Sequence, residues 1–151
     1  MTALLVDLDG ALGDTRPLWD AWLADAARML GVEPGELPVD RGEAAQVLDA
    51  GSAGNWRVLL ERFAEDRAPV YLRPAADASA ALRQLAAAGV SVGVFSDAPE
   101  ELARVALAQL GAARRITALE AGTGASQRLR VRLGHDAPTA ATRQELVAAA
   151  S

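Results

Sequence analysis

The chain has 151 residues, of which 51% are hydrophobic and 23% charged, a length that fits one domain or one domain carrying a modest insertion. Cysteine is absent and His135 is the single histidine, which excludes disulfides, thiolate catalysis, Cys-based zinc sites and His-cluster metal centres. A net charge of −5 leaves no electrostatic footprint for nucleic acid or an anionic membrane. At the N-terminus, Met1 to Val6 has no basic stretch and runs into Asp7, so it does not read as a signal peptide. No apolar run reaches the ~20 residues of a membrane span, and a soluble cytoplasmic protein is expected. Thr2 to Leu8 is a short apolar run ending in Asp-Leu-Asp-Gly. Apolar residues without polar alternation suit a buried parallel strand.

From Thr15 the period changes to that of a helix. Pro17 fits a first helical turn, Trp19, Trp22, Leu23, Ala26 and Leu30 recur at helical spacing, and Gly31 closes the helix. After a Pro/Gly-rich turn from Glu33 to Pro38, Asp40 and Glu43 form an N-cap pair before a short helix to Ala50. The run from Gly51 to Gly54 breaks the chain, and Trp56, Leu59, Leu60 and Phe63 mark a third amphipathic helix. The spacing then predicts a helix over Ala76–Ala88, a strand over Val90–Phe95 ending in Ser96-Asp97, and a helix over Glu100–Leu110 with Gly111 beyond it. A third strand is predicted over Ile116–Leu119, a helix over Ala125–Leu133, and a weak strand within Pro138–Thr142 before a final helix. Alternating strands and helices of these lengths predict an α/β fold with a doubly wound, Rossmann-like parallel sheet. Residues 1–14 and 73–151 are expected to form that core, and residues 15–72 an all-helical insertion.

In open parallel sheets, ligands bind beyond the carboxyl ends of the strands. Two such ends carry polar residues: Asp7 and Asp9 on one strand, Ser96 and Asp97 on the next. Paired carboxylates repel unless a cation or a proton lies between them, an arrangement suited to metal-assisted phosphoryl transfer. A self-capped Asp-x-Asp-Gly turn is the structural alternative. The chain has 35 alanines and no lysine, so all 15 basic residues are arginines; codon bias accounts for this. Any cationic role must therefore fall to a guanidinium, which is not interchangeable with an ammonium.

Leu4-Leu5-Val6-Asp7-Leu8-Asp9-Gly10-Ala11-Leu12-Gly13-Asp14-Thr15 resembles the first motif of the haloacid dehalogenase superfamily, most of whose members are phosphatases. Val92-Gly93-Val94-Phe95-Ser96-Asp97-Ala98-Pro99 resembles the second, and residues 15–72 stand where that family places a helical cap. The resemblance implies a phosphohydrolase acting on a small phosphorylated molecule through an aspartyl-phosphate. Asp7 would be the nucleophile and Asp9 the acid/base. Ser96 would bind the phosphoryl group, with Asp97 offering its backbone N–H or capping the following helix. Mg²⁺ would be held by the Asp7 carboxylate and the Asp9 backbone carbonyl. Such a site requires an arginine and a further carboxylate to converge on Asp7.

The departures are equally specific. Position 11, usually Thr in that family, is Ala11, and Glu120-Ala121-Gly122-Thr123-Gly124 holds no basic residue where the third motif places one. Arg128, Arg130 and Arg132 are the candidates to reach in, although a basic, solvated helix face accounts for them better. No Gly-Asp acidic pair follows Gly134; only Asp136 and Glu145 remain as carboxylates there. A catalytically degenerate relative that binds rather than hydrolyses is the alternative reading. Gly122-Thr123-Gly124 lacks the third glycine of a dinucleotide fingerprint, and no Gly-x-x-x-x-Gly-Lys loop exists. His135 reads as a loop residue, and the three tryptophans read as packing of the helical insertion. Nothing in the sequence speaks to oligomeric state or substrate identity.

Overall fold

The first strand, β1 (Ala3–Asp7), is buried over its first four residues, so it sits at the centre of a sheet covered on both faces. The computed structural model describes residues 1–51 and 54–151; of the break expected between Gly51 and Gly54, residues 52 and 53 lie outside the described part. β2 (Ser91–Ser96) pairs parallel with β1, placing Phe95 opposite Asp7. β3 (Ala118–Ala121) pairs with β2, and β4 (Thr139–Ala140) with the other side of β1. The sheet is parallel throughout, in the order β3-β2-β1-β4.

Between β1 and the next core helix lie α1 (Arg16–Leu30), α2 (Arg41–Ala50) and α3 (Trp56–Tyr71), with no strand among the described residues. Gly31 takes the left-handed C-cap of α1 with φ 69°, and the Asp40 side chain accepts from the Glu43 N–H at 2.9 Å to start α2. Trp22 packs between Trp19 and Trp56, with ring centroids 5.3 and 5.9 Å apart. Its two neighbours thus fill the helical insertion as the spacing predicted. Leu59, placed by the sequence on that buried face, is instead 36% exposed.

The core continues with α4 (Ala76–Ala87), α5 (Glu100–Gln109), α6 (Ala125–Leu133) and α7 (Arg143–Ala150). α3 lies along α5, and Arg57 reaches Glu101 at 3.0 Å across that seam. Alternate residues of β1 feed different faces: Leu4 and Val6 join the main core, and Leu5 joins a small cluster with Leu129 and Ala118. α6 presses close against β2 at Gly93, where a Cβ would lie 2.5 Å from Leu133 Cδ1. Two predicted strands shift. A short 3₁₀ turn at Ala113–Arg115 takes up chain after α5, so pairing with Gly93 begins at Ala118 instead of Ile116. β4 shortens to two residues because Thr142 leaves the sheet to cap α7, accepting from the Glu145 N–H at 3.1 Å.

Candidate functional site

Beyond Asp7 the chain folds back through an irregular turn over Leu8–Leu12. Gly10 makes this possible: its φ is 123°, and a Cβ there would stand 2.5 Å from the Ala141 carbonyl oxygen, so no other residue fits without displacement. The turn brings the Asp9 N–H to Asp7 Oδ1 at 3.0 Å. Asp9 then turns its carboxylate to the adjacent strand end. Its Oδ1 accepts from the Thr15 N–H at 2.8 Å and the Thr15 hydroxyl at 2.7 Å. Its Oδ2 accepts from the Ser96 hydroxyl at 2.7 Å. Asp7, Asp9, Ser96 and Asp97 therefore meet, as their places in the sequence implied.

The cation comes from a residue the sequence reading passed over. Arg41, the first residue of α2, is 2% exposed. Its Nη2 lies 2.6 Å from Asp9 Oδ2, 2.7 Å from Asp97 Oδ1 and 3.4 Å from Ser96 Oγ. Nη1 donates to Thr15 Oγ1 at 2.7 Å, and Nε to Asp97 Oδ1 at 3.2 Å. The Arg41 backbone N–H completes the set, donating to Asp97 Oδ2 at 2.9 Å. A signal for it existed. A cation in the first turn of a helix opposes the helix dipole, and such local conflicts collect at functional sites. Thr15, fully buried with its hydroxyl shared between Asp9 and Arg41, was likewise missed.

Asp97 does not cap α5. The N-cap position there is Pro99, without a side-chain bond, because both Asp97 oxygens are turned toward Arg41. The three arginines of α6 do not enter the site either. Arg128 binds Glu120 and the carbonyls of Ala121 and Thr123, Arg132 binds Glu120, and Arg130 binds Thr139. Glu145 is spent at the start of α7, where it accepts from the Ala141 N–H at 2.7 Å.

These surroundings set different proton affinities for the two carboxyls. Burial, then the neighbouring Asp9 charge, pushes Asp7 up to about 6, with Asp97 adding to the rise. For Asp9, burial also acts upward, but the Arg41 guanidinium and the Thr15 and Ser96 bonds outweigh it and hold the group below its ordinary value. Asp9 is thus a carboxylate in this arrangement, and Asp7 is the acid that titrates closer to neutrality. Two carboxylates, Asp9 and Asp97, face the buried Arg41 guanidinium, and Arg16 at the pocket wall offsets part of the Asp7 charge.

For a metal the donor set is thin. Among the described residues no group of three or more His, Cys, Asp or Glu gathers to hold an ion. Asp97 is already taken by Arg41. The Asp7 carboxylate and the Asp9 carbonyl supply two oxygens where Mg²⁺ demands six in octahedral array. The residues present do not make the magnesium site that the resemblance implies.

Above the acids opens a pocket of about 810 Å³. Its walls come from α1 (Arg16, Trp19, Leu23), the 34–40 loop (Leu37, Val39) and the turn after β3. No family model matches the sequence, and no curated protein matches it. Solved structures do match over most of the chain. CbbY from Rhodobacter sphaeroides in complex with phosphate is 17% identical, with a TM-score of 0.64 over 87% of this chain and 72% of that one. The same protein in complex with xylulose-(1,5)bisphosphate gives 0.62 at 16% identity over the same shares. A HAD-superfamily hydrolase of subfamily IA from Geobacter sulfurreducens gives 0.55 at 16% identity over 99% of this chain and 86% of that one. The chain has the haloacid dehalogenase fold. Within that fold the β1 and β2 ends carry their expected acids and hydroxyl, whereas no basic residue from the β3 end and no carboxylate from the β4 end enters the cluster. No described helix is long and apolar enough to cross a membrane.

Proposed function

We propose that the protein is a phosphohydrolase of the haloacid dehalogenase type acting on a small phosphate ester, with residues 15–72 serving as a helical cap. One observation carries the reading: Asp7, Asp9 and Ser96 converge with a single buried guanidinium at the floor of the pocket. The phosphate and sugar bisphosphate bound by CbbY, whose fold this chain shares, support a small phosphorylated ligand.

In this reading an Asp7 oxygen attacks phosphorus, and the bond to the leaving oxygen breaks as that oxygen takes a proton from Asp9. Water then attacks the aspartyl-phosphate, giving its proton to Asp9 and releasing phosphate and free Asp7. The present hydrogen bonds set a condition on this sequence. Asp9 is held ionised by Arg41 and Ser96, so it can carry a proton only once those donors turn to the oxygens of an incoming phosphoryl group. A guanidinium suits that exchange, because its planar fork binds carboxylate and phosphate alike.

The buried Arg41–Asp9 pair also favours a second reading, a binding module whose active site is closed by its own arginine. Phosphate release from a broad ester panel, in Mg²⁺ and in chelator, beside Asp7→Asn, separates the two. Turnover that disappears in Asp7→Asn supports hydrolysis. Wild-type rates no higher than those of a folded Asp7→Asn protein would reject it.

A further inference from the structure

Attachment between the helical insertion and the core is uneven. α3 lies along α5 and is tied to it by Arg57 and Glu101. α2 buries Ala44, Ala45 and Leu48 in the core and is tied to the start of α3 by Asp49 with Trp56 and Arg57, and it meets the rim of the pocket at its first turn. There the Arg41 backbone and side chain both end on Asp97. One residue later, Gly42 sits so close to the turn after β3 that a Cβ would lie 2.1 Å from the Thr123 backbone nitrogen and 2.7 Å from the Gly122 carbonyl carbon. The Thr123 hydroxyl reaches Asp40 at 3.5 Å. Among the described residues, Asp97 is the one core carboxylate that grips both the main chain and the side chain of this turn. Its negative charge also lies at a helix N-terminus, where the dipole favours it.

We propose that Asp97 is a positioning residue: by seating the first turn of α2 on the pocket rim, it sets where Arg41 stands over Asp9 and Ser96. Asp97 touches neither phosphorus nor the leaving group in this scheme. It acts through Arg41, competing with an incoming phosphoryl group for the same guanidinium while holding the α2 backbone in place. The end of β2 thus does two things, presenting Ser96 to the ligand and, through Asp97 just beyond it, anchoring the insertion that covers it. The catalytic part of this inference rests on the proposed phosphohydrolase reading; the anchoring part does not.

The absence of native cysteine makes a clean distance experiment possible. Gln46→Cys on the exposed face of α2 and Gln127→Cys on the exposed face of α6, both spin-labelled in the full chain, report the separation of α2 from the core. In the parent a single narrow distance is expected. Asp97→Ala and Asp97→Asn are each expected to add a second, longer population, and Asp97→Glu to restore the single one. A single unchanged distance in the Ala and Asn variants would overturn the proposal. The Asp97 side chain is 37% exposed, and the isosteric Asn variant decides the matter should Ala fail to fold. In turnover, Asp97→Asn is expected to lower kcat about tenfold with KM changed less than about threefold, and Asp97→Glu to recover most of the loss. Shifted distances without any wild-type turnover would keep the anchor and remove the phosphohydrolase reading. Turnover with unshifted distances would do the reverse.

Discussion

The inner and outer strands of the sheet end very differently. β1 and β2 end at Asp7, Asp9, Ser96 and Asp97: hydrogen bonds of 2.7 to 3.0 Å join Asp9 to Asp7, Thr15 and Ser96, and Asp97 joins them through Arg41. β3 ends in Glu120 and Ala121, whose polar atoms are claimed by Arg128 and Arg132 on the sheet's own flank, and β4 ends in alanine followed by a helix cap. The cation missing from the outer ends is delivered by the helical insertion, from the first residue of α2. A charge requirement at a site is met by whatever element can place the right group there, since a buried carboxylate such as Asp9 left without a cation costs several kcal/mol.

Asp7→Asn is the largest test of this contrast. It is expected to reduce phosphate release about 10³-fold or more, since the nucleophile itself is lost. Arg41→Ala comes next. It leaves Asp9 buried beside Ser96 without its counter-ion, and is expected to cost about 10² to 10³ in rate. Thermal unfolding should also show about 3 kcal/mol lost. Arg132→Ala, which removes an exposed partner of Glu120, should change stability by less than about 1 kcal/mol and leave the rate unaltered. Equal effects of the Arg41 and Arg132 substitutions would erase the distinction between inner and outer strand ends.

Gly42→Ala probes the seat of α2 without touching a charge. Its Cβ would press on the Thr123 backbone, and a loss of about 1–3 kcal/mol is expected in denaturant unfolding. The pH effects are smaller. With Asp7 raised to about 6, turnover should fall about tenfold per pH unit below that value. The stability sign follows from the same shift. A carboxyl whose folded pKa lies above its unfolded one contributes stability below about pH 4, and that contribution is lost as pH rises through 6. Asp7→Asn should therefore stabilise the protein at pH 7, by on the order of 1 kcal/mol once solvent screening is allowed for, and have little such effect near pH 3.

Much of this was legible in the residues alone. The apolar runs at Ala3–Val6 and Val92–Phe95, the glycine stops at Gly31 and Gly111, and the tryptophan spacing encode local period and chain reversal, which depend on near neighbours only. Asp7, Asp9 and Ser96 could be placed together because strand ends in a parallel sheet share one edge. The extent of β3 and β4 could not, since both are decided by turn geometry and capping at Ala113–Arg115 and Thr142.

Arg41 lies 32 residues from Asp9 and 56 from Asp97, and nothing in its own helix explains it. A salt bridge across that span exists only once the insertion has folded back over the strand ends. The sequence by itself determined the strands, the helices and the acids at the strand ends, through periodicity and short-range turn chemistry. Only the tertiary structure decided which of fifteen arginines answers those acids, because electrostatic pairing depends on distance in space and on exclusion of water, and the linear chain specifies neither.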